Sequence, residues 1–397
     1  MASNALASGF ARLTPWQARA VLAAVGLAAA ALVGVALSPL ANDQTGVERS
    51  EPGDIALYRA EIERIRGGEG YYQAAAAELR ARGYPTRSVF NWRTPLPIWF
   101  IGQLPTPEFG KALLGGLAIL LLLTAFAAVA RDSTPLPSPA TTLRAVPGSG
   151  AGGEGTQRHH VPTTTTPLPL RAIVTALLLT GPLMLCLLGE IFVMPVLWAG
   201  VLIALSLCCN GVGRPGWGVA CGIAAVFCRE LALPFCLLMA ALAGWNRRRG
   251  EAGAWLAGLT GWAVYFGLHA WQVAGLVRPD DLAHAHGWLQ GGGASFVLAT
   301  VQINAYLLLL PQWITALYLL AALVGLAGWR GAWGQRLGLT AAMYAAAFAV
   351  VGQPFNQYWG CLTAPLWCFG VAAFPAALGD LVAAARLRTP ALAQSAR

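Results

Sequence analysis

The stretch GDIALYRAEIERIRGGEGYYQAAAAELRARGYPTRSVFNWRTPLP, residues 53–97, is a polar segment between two apolar runs. It lies within a longer polar region, 38–111, which carries eight arginines and nine of the 17 carboxylates of the chain. The nine are Asp43, Glu48, Glu51, Asp54, Glu61, Glu63, Glu69, Glu78 and Glu108. Because the rest of the chain is mainly apolar, any chemistry is expected to centre on this region.

The composition outside this region predicts the fold class. The chain has 397 residues, of which 57% are hydrophobic and 11% charged, whereas about a quarter of the residues of a soluble domain are charged. The apolar runs suit helices of about 20 residues and are too long for membrane β-strands of about 10. We therefore predict an all-α, polytopic transmembrane protein of about ten spans.

Charge predicts how the chain crosses the membrane. The net charge of +9 comes from basic residues that fall largely in short loops between spans, where they act as topology signals, so no nucleic-acid partner is predicted. The first apolar run, 21–40, is about as long as a full span and is interpreted as an uncleaved span rather than a signal peptide. With an even number of crossings, both termini are predicted to be cytoplasmic.

The predicted organisation has six parts. They are an N-terminal segment with the first span, 1–40; an extracytoplasmic loop, 41–110; a second span, 111–130; a disordered cytoplasmic linker rich in Pro, Thr, Ser and Gly, 131–170; a bundle of about eight spans, 171–380; and a cytoplasmic tail, 381–397. The eight spans are 171–188, 191–209, 215–229, 231–246, 253–275, 309–329, 337–352 and 359–380. Residues 293–308 are predicted to form an interfacial or half-inserted helix.

The extracytoplasmic loop contains two short helical patterns. Ile55, Tyr58, Ile62 and Ile65 recur at helical spacing, and a second apolar set repeats the pattern at Tyr72, Ala75, Ala76 and Leu79. Glycines punctuate both segments. We therefore predict two amphipathic helices that lie along the membrane surface.

Polar residues collect at the predicted outer ends of the spans. Ionisable groups at membrane depth are costly, so each is a functional candidate, although a position at the water interface is an open alternative. The set comprises Asp54, Arg93, Glu190, Arg229, Glu230, His269, Asp280, Asp281, His284, His286, Gln353, Asn356, Gln357, Tyr358 and Trp359.

Four short motifs in this set resemble those of one enzyme superfamily. The element Asp54-Ile55-Ala56-Leu57-Tyr58 resembles the Asp-x-x-x-Tyr element that opens the first outer loop of GT-C glycosyltransferases, such as the aminoarabinose transferases of lipid A and the mannosyltransferases that use polyprenol-phosphate-mannose. Arg93-Thr94-Pro95-Leu96, Arg229-Glu230 and Asn356-Gln357-Tyr358-Trp359-Gly360 resemble further elements of this class in their positions before spans. The linker after the second span and the absence of an Asp-x-Asp motif depart from it.

The resemblance implies an inverting glycosyltransferase at the outer face of a bacterial inner membrane. It would move a sugar from a polyprenyl-phosphate donor to an acceptor hydroxyl, with membrane lipid as its surroundings and Asp54 as the general base. The implied phosphate ligands are Arg93, Arg229 and Arg278, and the implied substrate contacts are Tyr58, Glu230, His269, Asn356, Tyr358 and Trp359. No cofactor is certain, and a divalent cation held by carboxylates stays open.

Three alternatives remain open from the sequence. Asp43, Glu48 or Glu51 could replace Asp54 as the base, because all three lie close to it in the sequence. A transporter or flippase for a lipid or small amphiphile is a second class of function, although the predicted spans have almost no charge at mid-depth. A scaffold that presents the outer loop to a partner is the third.

Overall fold

The computed structural model describes residues 8–38, 53–133, 170–283 and 289–386. These residues form helices and contain no β-strand, only an isolated bridge between Leu289 and Val351. The prediction of an all-α fold is therefore confirmed. The helices are α1 Pro15–Leu37, α2 Asp54–Arg66, α3 Tyr71–Ala81, α4 Ile98–Gln103, α5 Pro107–Ser133, α6 Leu170–Met184, α7 Pro195–Gly211, α8 Pro215–Cys228, α9 Leu233–Trp245, α10 Arg249–Ala274, α11 Gly293–Val301, α12 Gln312–Gly328, α13 Gly331–Val350 and α14 Ala364–Arg386.

A helix occupies each of the ten positions where a span was predicted. Among the described residues, α1, α5 and α14 are long and apolar enough to cross a membrane, and α6, α7, α8, α9 and α12 are shorter apolar helices. These helices support a membrane protein, whereas the count of ten crossings stays a prediction. Several helices also run past the predicted limits: α5 begins at Pro107, inside the predicted loop, and α14 continues to Arg386, inside the predicted tail.

Close packing of glycines joins the helices of the bundle. α12 and α14 form the most extensive helix pair, because Gly325 and Gly370 let the two backbones approach. A Cβ atom on Gly370 would clash with the carbonyl oxygen of Ala322, and small residues at such crossings are typical of membrane helices. α1 and α6 pack on this pair, and α5, α7, α8, α10 and α9 continue the bundle in that order.

The predicted extracytoplasmic loop, called the outer segment below, contains α2, α3 and α4, and α2 packs on both α3 and α4. Both predicted amphipathic helices are present, but their apolar faces are buried in protein rather than free to lie on lipid. Leu57, Tyr58 and Ile62 of α2 are each at most 3% exposed, and Ala74 and Ala75 of α3 at most 1%. Protein rather than lipid therefore covers these apolar stripes, and the position of the two helices along a membrane surface stays a prediction.

The segment 293–308 was predicted to form an interfacial or half-inserted helix. α11 covers only its first part, and Phe296–Val301 of that helix is buried inside the bundle. This burial argues against an interfacial position, whereas half insertion stays a prediction. The chain then turns at Asn304, whose side-chain oxygen accepts a hydrogen bond from the backbone N–H of Tyr306 at 2.9 Å. A buried polar turn of this kind explains why the apolar pattern stops at this point.

Candidate functional site

The candidate site begins at Asp54, the first residue of α2. Its carboxylate lies at a helix N-terminus, where the helix dipole favours negative charge. The hydroxyl of Tyr84 donates a hydrogen bond to Oδ1 of Asp54 at 3.0 Å. Asp54 is half-buried, so its carboxylate is held in position while part of the residue stays exposed to solvent.

Tyr58 lies one turn after Asp54 on α2, and Arg93 packs against it. Three hydrogen bonds hold Arg93. Its Nε donates to the hydroxyl of Tyr58 at 3.0 Å, and its Nη1 donates to the carbonyl oxygen of Phe90 at 3.0 Å. The hydroxyl of Tyr71 donates to the backbone carbonyl of Arg93 at 2.6 Å. The helical spacing of Asp54 and Tyr58 thus places the carboxylate and the guanidinium on the same face of α2.

The segment that carries Arg93 is docked on the bundle. The indole N–H of Trp92 donates to the carbonyl of Thr86 at 2.8 Å, inside the protein. The Thr94 hydroxyl donates to the carbonyl of Phe227 at the end of α8, at 3.3 Å. These contacts bring the outer segment against the helix end where the second arginine lies.

Arg229 follows α8 directly, with an extended backbone (φ −152°, ψ 122°) that ends the helix. Its side chain is buried, 3% exposed as a residue, and its Nη1 lies 3.1 Å from Oε1 of Glu230. Its Nε has no hydrogen-bond partner among the described residues. A buried guanidinium with an unused donor is a candidate anion ligand, because an unmade hydrogen bond of this kind is costly.

Tyr358 lies close to the carboxylate of Asp54 and to the guanidinium groups of Arg93 and Arg229. It lies in a 3₁₀-helical segment, Pro354–Leu362, between α13 and α14. Burial raises the pKa of its phenol, the charge of Asp54 raises that pKa further, and the charges of Arg93 and Arg229 lower it. All four groups therefore lie within electrostatic range of one another, although they come from four separate parts of the chain.

The phenols of this site stay protonated near neutral pH. Burial raises the pKa of Tyr58 well above its usual value, and burial together with the charge of Asp54 raises the pKa of Tyr84. These tyrosines can therefore donate hydrogen bonds but cannot act as bases. Of the acidic groups in the cluster, Glu230 is paired with Arg229, which leaves Asp54 as the available proton acceptor.

The other predicted site residues contact different groups. His269 is 1% exposed, and its Nδ1 lies 3.2 Å from the Tyr72 hydroxyl. Arg278 is exposed, and its backbone N–H donates to Oδ2 of Asp281 at 2.8 Å. Asn356 Oδ1 accepts from the backbone N–H of Gln353 at 3.0 Å and so caps its segment. The ring of Trp359 lies 6.1 Å from that of Phe348, in the bundle.

Two features of the site differ from what the sequence indicated. Tyr84 was not selected as a site residue, because it lies in a glycine-punctuated turn after the second helical pattern. Glu190 was selected as a functional candidate, and the structure pairs it with Arg59 of α2. Asp43, Glu48, Glu51, His284 and His286 lie outside the described residues.

No group of three or more His, Cys, Asp or Glu side chains suited to a metal occurs among the described residues. Comparisons of the chain with family models, with curated proteins and with solved structures find no match. A functional assignment therefore depends on the geometry and charge of the site itself.

Proposed function

We propose that the protein is an inverting glycosyltransferase that moves a sugar from a polyprenyl-phosphate donor to an acceptor hydroxyl. In this proposal it crosses a bacterial inner membrane ten times and acts at the outer face. The observation that carries the proposal is the convergence of Asp54, Arg93, Arg229 and Tyr358 from distant parts of the sequence. Arg93 is hydrogen-bonded to Tyr58, one turn after Asp54, and Thr94 is hydrogen-bonded to the end of the helix that precedes Arg229. The charges of Asp54 and both arginines act on Tyr358. One accessible carboxylate beside two cations suits a reaction that releases both a proton and an anion.

Each group has a defined part in the displacement. The acceptor oxygen forms a bond to the anomeric carbon while the bond from that carbon to the phosphate oxygen breaks, so the lipid phosphate leaves with the electron pair. Asp54 takes the acceptor proton, a contribution of about 10²- to 10⁴-fold in rate. Arg93 and Arg229 offset the charge that grows on the leaving phosphate.

The tyrosines would complete the site. Tyr58 holds Nε of Arg93 and the carbonyl of Phe90 holds Nη1. These bonds fix the plane of the guanidinium and leave the N–H groups of Nη2 for a ligand. Tyr84 would hold the Asp54 carboxylate while the acceptor approaches from the open side. Tyr358 would donate to either the carboxylate or the phosphate. Groups fixed before the substrate arrives need little reorganisation during the reaction.

The decisive experiment is Asp54→Asn in protein purified in lipid. We expect sugar transfer to fall by about 10²-fold or more, because the amide cannot accept the proton, while the binding of a polyprenyl phosphate is retained. Asp280→Asn, which changes an exposed carboxylate, is the matched control and should remain active. Full activity of Asp54→Asn would show that Asp54 is not the general base. Absence of polyprenyl-phosphate binding to the wild-type protein would overturn the proposed function itself.

A further inference from the structure

Glu61 is a buried carboxyl group that the proposed chemistry does not use. It lies on α2, two turns after Asp54, and is 2% exposed. Its Oε2 atom is buried and has no hydrogen-bond partner among the described residues. A buried carboxylate oxygen without a hydrogen bond is unfavourable, so such a group is expected to keep its proton.

The two cations near Glu61 make their hydrogen bonds to other groups. Two cations face it, Arg93 from the segment before α4 and Arg82 from the end of α3. Arg93 donates to Tyr58 and Phe90, and Arg82 donates to Glu78 at 3.2 Å.

The other titratable groups that face Glu61 are acidic or phenolic. They are Glu78 and Tyr71 of α3 and Asp54 of α2. Burial is the largest effect, and it raises the pKa of Glu61 to about 8. Glu61 is therefore neutral at neutral pH and would become an anion only in alkaline solution.

We propose that Glu61 is a positioning residue that acts in its protonated form and makes anion binding at the Arg93–Arg229 site sensitive to alkaline pH. The proposal rests on the proposed function for the identity of the anion, a phosphate-headed lipid. When Glu61 loses its proton, its new charge competes with the phosphate for Arg93, and the cost of burying that charge loosens the packing of α2 on α3. Affinity then falls although Asp54, Arg93 and Arg229 are unchanged.

The same linkage predicts how stability depends on pH. The folded-state pKa of Glu61 is raised from about 4.5 to about 8, so the folded protein holds this proton more tightly than the unfolded chain. The stability from this group is fully present below the unfolded pKa and is lost as the pH rises through the folded pKa. The second ionisation of the phosphate has a pKa of about 6 and is nearly complete at about pH 7. A loss of affinity between about pH 7 and about pH 9 therefore distinguishes Glu61 from the phosphate.

The experiment compares wild type, Glu61→Gln and Glu63→Gln. Glutamine imitates the protonated acid, and Glu63 is an exposed carboxylate on the same helix. Binding of farnesyl phosphate, a short polyprenyl phosphate, is measured at about pH 7 and about pH 9. We expect wild type and Glu63→Gln to lose about tenfold in affinity at the higher pH, whereas Glu61→Gln keeps its affinity. An equal loss in Glu61→Gln would overturn the proposal.

A second measurement separates this inference from the proposed function. The infrared spectrum of wild type at neutral pH should contain a carboxylic-acid carbonyl band that is absent from Glu61→Gln and that disappears on alkaline titration. If farnesyl phosphate fails to bind at any pH but this band is present, the function fails while the protonated state of Glu61 stands. If the band is missing, the inference fails. Glu61→Leu, also neutral, replaces Glu61→Gln should the latter not fold.

Discussion

At the scale of single residues, the contact between Tyr84 and Asp54 controls the proposed base. The Tyr84 hydroxyl donates to Oδ1 at 3.0 Å, and a hydrogen bond to a charged group contributes about 1.5–3 kcal/mol. Tyr84→Phe removes this bond while keeping the ring. We expect sugar transfer to fall by about tenfold or more, measured as kcat with a saturating donor, because the carboxylate is no longer held in place.

The control for this change is Tyr306→Phe, which removes a hydroxyl that faces Thr180 at 2.6 Å. Its transfer rate should match that of wild type. Donor affinity should be unchanged in both variants, because neither hydroxyl contacts Arg93 or Arg229. A loss of donor affinity without loss of kcat in Tyr84→Phe would contradict the assigned role.

Residue types indicated the members of the candidate site, which stay predictions, but not the groups that these members contact. Asp54, Arg93, Arg229 and Tyr358 were selected because charged and polar groups at helix ends in an apolar chain are costly. Asn356 satisfied the same criterion but caps a helical segment, and Arg278, which the resemblance implied as a phosphate ligand, is exposed. Tyr84 was missed because a tyrosine in a turn gives no sequence signal for the carboxylate it contacts 30 positions away.

At the scale of helices, the α12–α14 crossing depends on two glycines. A Cβ on Gly370 would approach backbone atoms of Ala322, which cannot move as a side chain can. Gly370→Ala should therefore force the helices apart and cost about 1–3 kcal/mol. We expect a lower thermal unfolding temperature in detergent.

Gly379, also on α14, provides the matched control, because nothing lies within 4 Å of the position of its Cβ. Gly379→Ala should be neutral or slightly stabilising, since alanine favours helix. An equal effect of the two substitutions on the unfolding temperature would show that the close approach at the crossing does not determine the result. The chain has 46 glycines, and the sequence does not indicate which of them lie at crossings, because that depends on the packing partner.

The positions of the helices were predicted from the apolar runs, but the residues at which the helices begin and end were not. Long apolar runs must form helices to pair their backbone groups away from water. The ends depend instead on local contacts, so α5 starts within the predicted loop, at Pro107, a residue suited to a first helical turn. The pairing of α2 with α3 was also not predictable, because an apolar stripe does not specify whether protein or lipid covers it.

At the scale of the whole molecule, polar contacts occur at both ends of the bundle. The proposed site lies at the end formed by α2, the end of α8 and the segment after α13. At the other end, Arg336 of α13 donates to Glu251 of α10 at 2.6 Å and to Asn210 of α7 at 3.0 Å. The predicted topology places these two ends on opposite sides of the membrane, so the second cluster can be changed without contact with the first.

The pair Glu251–Arg336 tests this separation. Both side chains are at most 6% exposed, and removal of one partner from a buried ion pair costs about 3–5 kcal/mol, because the remaining charge has no counter-ion. Glu251→Gln should therefore lower the thermal unfolding temperature strongly. Arg248→Ala, which removes the exposed partner of Glu251 at 3.5 Å, should change stability by less than about 1 kcal/mol.

The same variant also reports on the site at the other end. Glu251→Gln protein that remains folded at low temperature should bind the polyprenyl phosphate as wild type does, because no contact of Glu251 or Arg336 reaches Asp54, Arg93 or Arg229 within the described chain. Weakened donor binding in folded Glu251→Gln protein would mean that the two ends are coupled through α10 or α13. In that case the outer site would depend on the packing of the whole bundle rather than on the outer segment and the helix ends that surround it.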